Sequence, residues 1–206
     1  MRLIRRTLVA LALSGLAASL AAGPVRAADD PAVKTVESLY ASFDTALKTG
    51  AKDVKARAEA IGPAMKESFD FPAMVRVAVG PKWKSFTPEQ QGALTEAFAQ
   101  YFTTTYANRL AQAAGGKFEV TPQAELRGPS RVVHSKVANA QGEDSQIDFV
   151  MNPGNRVQDV LLNGDVSEIA SQRSLFSDPM KAGGADALLK FLRERTAGML
   201  AAKPAP

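Results

Sequence analysis

The feature that most constrains the fold is a change in hydrophobic periodicity at Gly115-Gly116. Before this pair, apolar residues recur every three or four positions, as they do on one face of an α-helix. After it they alternate with polar residues, as in β-strands, until about residue 162, and the helical spacing then returns. Helices, strands and helices in that order predict an α+β domain in which helices cover one face of an antiparallel sheet.

The helical spacing before Gly115 divides into four predicted helices. The first covers residues 31–49, the second follows Asp53 with a kink or interruption at Gly62-Pro63, and a short third covers 71–79. The fourth begins at Thr87-Pro88-Glu89-Gln90, a capping threonine followed by a proline at the first helical position. It carries an apolar ladder at four-residue spacing: Leu94, Phe98, Phe102, Tyr106 and Leu110.

The alternating region predicts a four-stranded antiparallel meander, because the turns between its segments are short. The four strands are predicted at about 117–126, 130–139, 144–151 and 156–162. After the turn at Asn163-Gly164, a helix is expected to start at Ser167. Gly183-Gly184 separates it from a last helix. We expect one domain over residues 28–198 and a flexible tail over 199–206.

The N-terminus has the organisation of a secretory signal peptide. Three arginines in the first six residues precede an apolar stretch over 7–22, and small residues surround Ala27. This stretch is shorter than the roughly 20 residues that span a bilayer as a helix. Cleavage after about residue 27 is therefore predicted, and an uncleaved anchor is the alternative.

Removal of residues 1–27 changes the charge balance. Four of the 25 basic residues and none of the 21 acidic residues lie before Ala28, so the remaining chain has 21 of each and is neutral. The basic character of the full chain is therefore no argument for nucleic acid or an anionic membrane as a partner. The chain contains no cysteine, which excludes disulfides, thiolate metal sites and cysteine nucleophiles.

No catalytic group is indicated. His134 is the only histidine, and its predicted strand places it opposite Val133 and Val137. A solvent-facing or locally hydrogen-bonded histidine is favoured over a catalytic base. Neither a nucleophilic serine motif nor a phosphate loop occurs. We therefore expect no enzymatic activity, no cofactor and no metal site. A small α+β hydrolase or isomerase, the competing class, would need His134 buried in a pocket.

The remaining unexplained feature is a large set of apolar side chains. It comprises a cluster from Phe69 to Trp83, the ladder of the fourth helix, and the Ile147, Phe149, Met151 face of the third predicted strand. Taken alone, such residues are more often a filled core than a ligand pocket. Hydrophobic periodicity does not distinguish a filled core from a ligand pocket.

Four stretches, in order and spacing, resemble the MlaC type of periplasmic lipid-binding proteins, also called the toluene-tolerance auxiliary family. They are Phe69-Asp70-Phe71-Pro72-Ala73-Met74-Val75-Arg76 with Val79-Gly80 and Trp83; Thr87-Pro88-Glu89-Gln90-Gln91; Asp159-Val160-Leu161-Leu162-Asn163-Gly164 with Val166-Ser167, Gln172-Arg173-Ser174 and Phe176; and Gly183-Gly184-Ala185-Asp186-Ala187-Leu188-Leu189. The segments 154–158 and 171–172 lack aromatic residues typical of the phospholipid carriers. That departure favours the hopanoid-biosynthesis-associated HpnM branch.

The resemblance implies a periplasmic carrier that holds a hopanoid or a phospholipid between helices and sheet and exchanges it with membrane-embedded transport proteins. The lipid-binding residues it suggests are Met74, Val75, Val79, Trp83, Phe98, Phe102, Tyr106, Phe149, Met151, Leu162, Ile169 and Phe176. The helices carrying these residues are expected to part from the sheet when lipid enters. An adaptor or structural subunit that carries no lipid is the alternative.

Arg173 is a separate candidate. It is expected to pair with Asp159 or Asp165 and hold the join between the last strand and its helix. A contact with a lipid headgroup is the second possibility.

Overall fold

The structure, a computed structural model, describes residues 30–49 and 53–202. The predicted signal peptide lies outside these residues, as does 203–206 of the predicted tail. Residues 199–201 of that tail belong to the last helix. None of the helices in the described ranges is long and apolar enough to cross a membrane.

Five α-helices within the described residues form the helical layer. They are α1 Pro31–Lys48, α2 Val54–Ser68, α3 Phe71–Val79, α4 Pro88–Leu110 and α5 Glu168–Ala201. A 3₁₀ segment, Gly80–Ser85, joins α3 to the loop before α4. The expected break within α5 is present, because Gly183 and Gly184 have non-helical backbone angles.

The helix starts follow local sequence signals. Thr87 and Gln90 form the predicted capping box, with each side chain bonded to the other residue's backbone N–H. Asp53 and Ser167 also accept hydrogen bonds from the first turns of α2 and α5. In contrast, α2 continues through Gly62-Pro63, so an interruption there is wrong. Pro63 is exposed, and so is Glu59, the residue whose carbonyl loses its helical partner at Pro63.

Over residues 30–49 and 53–202 the sheet is antiparallel and has six strands rather than four. They are β1 Lys117–Val120, β2 Glu125–Arg127, β3 Ser130–Ala138, β4 Asp144–Met151, β5 Val157–Leu162 and β6 Val166–Ser167. Their order is β1-β3-β4-β5-β6, and β2 pairs with the first half of β3. The first predicted strand is split because the 121–124 segment contains Pro122, which cannot donate to a ladder. β6 has two residues, too few to show a period.

The inner face of the sheet packs against the helices. Val133, Phe149, Met151 and Val160 point inward and are at most 1% exposed. They join residues of all five helices in one continuous core. The α+β class and the helix-on-sheet arrangement are therefore as expected, and the helix–sheet interface is where a cavity has to be sought.

Candidate functional site

A cavity of about 370 Å³ lies in the helix–sheet interface, at the end formed by α1, the last turns of α4 and strands β1, β3, β4 and β5. Its lining residues are Tyr40, Phe43, Tyr106, Arg109, Leu110, Gln112, Ala113, Phe118, Val137, Asn139, Glu143, Ser145, Ile147, Phe149 and Leu162. Several apolar members are only partly buried although they pack on the core, because they face this space. Both layers contribute to the wall, so the cavity changes size if they separate.

A larger depression of about 1160 Å³ lies along the outside of α2 and α4. Charged side chains such as Lys55, Glu59, Lys66 and Glu96 contribute to its wall. Six of its 17 lining residues are charged, against two of the 15 in the interface cavity, so an apolar guest would have to displace water from more charged groups there. The smaller interface cavity is therefore the better candidate, because apolar walls with a few polar groups are typical of ligand sites.

Aromatic rings form the inner wall of the cavity. The ring of Tyr40 stacks on that of Phe118, with the centroids 4.8 Å apart, and meets Phe149 edge-on at 5.7 Å. Phe43 lies 6.3 Å from Phe118 and 6.4 Å from Tyr106. These contacts hold the rings as rigid apolar surfaces beside the empty space.

Two tyrosine hydroxyls meet different surroundings here. Ser135 Oγ donates to the carbonyl of Ile147 at 2.5 Å, so Tyr40 donates to Ser135 Oγ at 2.7 Å. The hydroxyl of Tyr106 is buried and has no hydrogen-bond partner among residues 30–49 and 53–202. Burial raises the pKa of both phenols, and the nearby Glu168 carboxylate also raises the pKa of Tyr106. Both hydroxyls are therefore neutral donors at ordinary pH.

The charged residues at the mouth are already engaged. Arg109, about half exposed, donates from Nη1 to Oε1 of the buried Glu168 at 2.7 Å. Its guanidinium also lies 5.9 Å from the centre of the Tyr106 ring. Asn139 donates to the Glu143 carboxylate at 2.8 Å. The mouth therefore offers no unpaired cation among the lining residues.

The structure brings three of the twelve predicted lipid-binding residues into the cavity wall: Tyr106, Phe149 and Leu162. Six others lie in the filled core beside it and are at most 1% exposed: Met74, Val75, Phe98, Phe102, Met151 and Phe176. Ile169 is buried in the first turn of α5, while Val79 and Trp83 lie at the end of α3 and in the 3₁₀ segment. These nine do not line the cavity, because α3 and α5 fill the interface around them.

Several wall residues were missed by the sequence prediction. Tyr40 and Phe43 lie on the apolar face of the first predicted helix, and Phe118 and Ile147 lie on the inward face of their strands. The period therefore marks them as inward-facing. Whether an inward-facing residue borders a cavity depends on which helices and strands pack around it. The hydrophobic periodicity of one segment carries no information about that packing.

His134 lies on the outer face of the sheet, as expected, and is locally hydrogen-bonded. Its Nε2 is 2.9 Å from Glu125 Oε2, and its Nδ1 is 3.0 Å from Asp148 Oδ1. Partial burial lowers the pKa of His134, but the two carboxylates raise it by more, so the pKa lies above its usual value. The group stabilises the packing of β2, β3 and β4 and does not face the cavity.

The expected pairing of Arg173 with Asp159 or Asp165 is wrong. Arg173 donates to the carbonyl of Val77 at 2.5 Å, at the C-terminal end of α3, where partial negative charge accumulates. Asp159 accepts from Ser167 Oγ at 2.6 Å and from the backbone N–H of Ile169 at 3.1 Å. Its carboxylate is therefore occupied in holding the start of α5.

Comparison with known proteins gives one family and one fold. The sequence model of the family described as MlaC protein matches residues 34–194. A solved structure of a phospholipid-binding protein from Ralstonia solanacearum, in complex with a phospholipid, is similar with a TM-score of 0.69 and 25% identity. The similarity covers 84% of this chain and 98% of that one. A search among curated protein sequences finds no match.

Proposed function

The chain belongs to the MlaC protein family, and on that premise we propose that it is a non-enzymatic lipid carrier of the periplasm. It binds a phospholipid or a hopanoid in the interface cavity and shuttles it between envelope membranes, including the outer membrane. The observation that supports this most is a cavity with apolar walls from both layers, in a fold shared with a phospholipid-binding protein.

The cavity as it stands is smaller than such a lipid. Its 370 Å³ holds roughly a dozen groups of about the 30 Å³ that a water molecule occupies in the liquid, which is close to the size of a methylene. A dozen buried methylenes contribute about 10 kcal/mol in gross transfer free energy, enough to hold one chain. A second chain or a ring system needs more room, which opening of the interface beyond Tyr106 and Phe149 would provide.

Location and partners are part of the same proposal. The predicted signal peptide and the family support the periplasm, where an apolar cargo needs a carrier between membranes. Because unaided release of so apolar a ligand is slow, membrane-embedded transport proteins are proposed to open the interface on docking. The segments 154–158 and 171–172 support the hopanoid-associated branch.

Lipid extraction tests the proposal directly. The protein is purified without detergent, and an organic extract is analysed by quantitative mass spectrometry; about one lipid per chain is expected. Ile147→Asp places a charge in the cavity wall and is expected to abolish the bound lipid. Val150→Asp is the matched control, because Val150 lies on the same strand but on the opposite face.

Two outcomes would contradict the carrier. Lipid-free wild-type protein would favour an adaptor subunit, the reading consistent with the fully packed region around Phe98 and Phe102. Equal lipid content in folded Ile147→Asp and Val150→Asp proteins would place the ligand outside this cavity.

A further inference from the structure

The depression along α2 and α4 is the largest concave surface described above, and it lies outside the interface cavity. The residues that the two helices contribute include Lys55, Ala58, Glu59, Gly62, Lys66, Gly92, Thr95, Glu96, Ala99 and Thr103. On each helix these residues recur every three or four positions, so they form one face of α2 and one face of α4. Together they form the α2/α4 face, in which small residues are flanked by charged ones.

Two glycines of the α2/α4 face are not required by the fold of a single chain. A Cβ added at Gly62 or Gly92 would meet no atom within 4 Å, and neither residue has a positive φ. In contrast, a Cβ at Gly116 would lie 1.8 Å from the carbonyl oxygen of Ala138. A glycine inside a helix costs about 1 kcal/mol relative to alanine. Its presence on this open face therefore indicates close approach by another backbone, which glycine allows.

Charged side chains of the same face lack an ionic partner. Lys55, Glu59, Lys66 and Glu96 take part in no ion pair within the described ranges 30–49 and 53–202. The six charged residues of the depression are three basic and three acidic, so the surface is neutral as a whole. A strongly acidic or strongly basic partner therefore gains little there, whereas a partner with the same mixture of signs can pair with both.

A second copy of the chain has that mixture of signs. In a two-fold interface, residue i of one subunit contacts residue j of the other, and j contacts i. When α2 packs antiparallel on its symmetry copy with the axis beside Gly62, Glu59 faces Lys66 of the partner subunit, and Lys66 faces Glu59 of the partner subunit. Glu59 and Lys66 are two helical turns apart on one face. Each therefore lies only about 5 Å along α2 from the axis.

We propose that the α2/α4 face is a self-association surface and that its occupant is a second copy of this chain. The small residues let α2 and α4 approach the partner's helices closely, and the two Glu59–Lys66 pairs fix the antiparallel register. None of the residues that line the interface cavity lines the α2/α4 face. The inference therefore goes beyond the carrier function and does not depend on it.

Sedimentation velocity of the delipidated protein between about 1 and 500 µM tests the association, and a concentration-dependent dimer is expected. Glu59→Lys places two bases against Lys66 of the partner subunit, and Lys66→Glu places acids against Glu59. Each variant is expected to weaken the dimer about 10-fold or more, because the symmetry repeats every change twice. Glu194→Lys is the matched control, since Glu194 is an exposed acid on α5 outside the face. It is expected to keep the wild-type Kd.

Mixing the two charge variants tests the register itself. In an equimolar mixture of Glu59→Lys and Lys66→Glu proteins, one subunit has two bases at these positions and the other has two acids. The mixed dimer therefore regains both ion pairs, and its Kd is expected to return to within about 3-fold of wild type. A wild-type monomer throughout this concentration range would overturn the inference. A dimer that neither variant weakens, or that mixing does not restore, would overturn it as well.

A cross-link provides a measurement that does not use the charge variants. Because the chain contains no cysteine, Gly62→Cys introduces a single thiol beside the axis, where the symmetry copy lies within reach of a disulfide. Mild oxidation is expected to give a covalent dimer. Arg193→Cys, on an exposed position of α5 outside the face, is the control and is expected to stay largely monomeric. Equal cross-linking of the two variants would contradict the proposed interface.

Discussion

Both ends of the helix–sheet interface contain clustered aromatic rings, but the rings are packed differently. At the packed end, the ring of Phe102 lies 5.5 to 6.0 Å from those of Phe98, Phe69 and Phe71. The ring of Phe98 lies 6.0 to 6.1 Å from those of Phe71 and Phe176. At the cavity end, Tyr40, Phe43, Phe118 and Phe149 surround an empty space. Tyr106, on the same α4 ladder, stands between the two ends and stacks on Phe102 at 4.9 Å.

The difference shows that the number of covering elements, and not hydrophobicity, decides where the interior is hollow. At the packed end α3 and α5 both supply side chains against α4 and the sheet. At the cavity end α4 finishes at Leu110, and the chain turns through Gly115-Gly116 into β1. Beside the last turns of α4, only α1 covers the sheet, so the cavity remains unfilled there.

Truncation of one ring at each end is expected to give the largest contrast. Phe102→Ala removes a fully buried ring and is expected to lower the free energy of unfolding by about 3–5 kcal/mol. Phe118→Ala enlarges a space that already exists, so a loss of about 1 kcal/mol is expected. Urea unfolding of both delipidated variants measures the difference. Equal losses would mean that the cavity end is as tightly packed as the other.

Removal of one hydroxyl at a time sharpens the comparison within the cavity end. Tyr40→Phe removes the hydrogen bond from Tyr40 to Ser135, which keeps its bond to the carbonyl of Ile147, and is expected to cost about 1 kcal/mol. Tyr106→Phe removes a buried hydroxyl that has no partner, so the delipidated protein is expected to gain about 1 kcal/mol. Thermal unfolding measures both. Destabilisation of the empty protein by Tyr106→Phe would show that its hydroxyl is already satisfied.

The smallest expected effect comes from a site at neither end. The pKa of His134 is raised in the folded protein, so its contribution to stability is complete below the unfolded value near 6.5 and is lost as pH rises through the folded pKa. His134→Gln is expected to flatten this part of the pH profile of unfolding. Since His134 faces away from the cavity, lipid-loaded and delipidated proteins should show the same slope. A pH dependence of unfolding that changes with bound lipid would show that His134 on the outer face of the sheet is energetically coupled to the cavity.

The sequence was sufficient for the order of the elements and for their inward faces. Periodicity placed the ladder of α4, and local signals at Asp53, Thr87 and Ser167 placed three helix starts. The sequence did not predict β2 and β6 as separate strands. β2 is held by pairing with β3 and β6 by pairing with β5, and both are too short to show a pattern of their own.

The site was predictable only in part, for a related physical reason. Phe102 and Tyr106 are one turn apart on the same face, yet one is enclosed by α3 and α5 while the other borders the space. That distinction arises from contacts between distant segments. The partner of Arg173 was missed in the same way, because the carbonyl of Val77 lies 96 residues away along the chain.

The three hydrogen bonds of Asp159 fix the join between β5 and the start of α5. Asp159 anchors Ser167, Ile169 and its own neighbour Val160, and Arg109 grips Glu168 from α4. The first turn of α5 is therefore held by hydrogen bonds to the sheet and to α4 at once. Widening of the cavity for a bulky lipid is therefore expected on the side of α1, where it would first have to break the hydrogen bond between Tyr40 and Ser135.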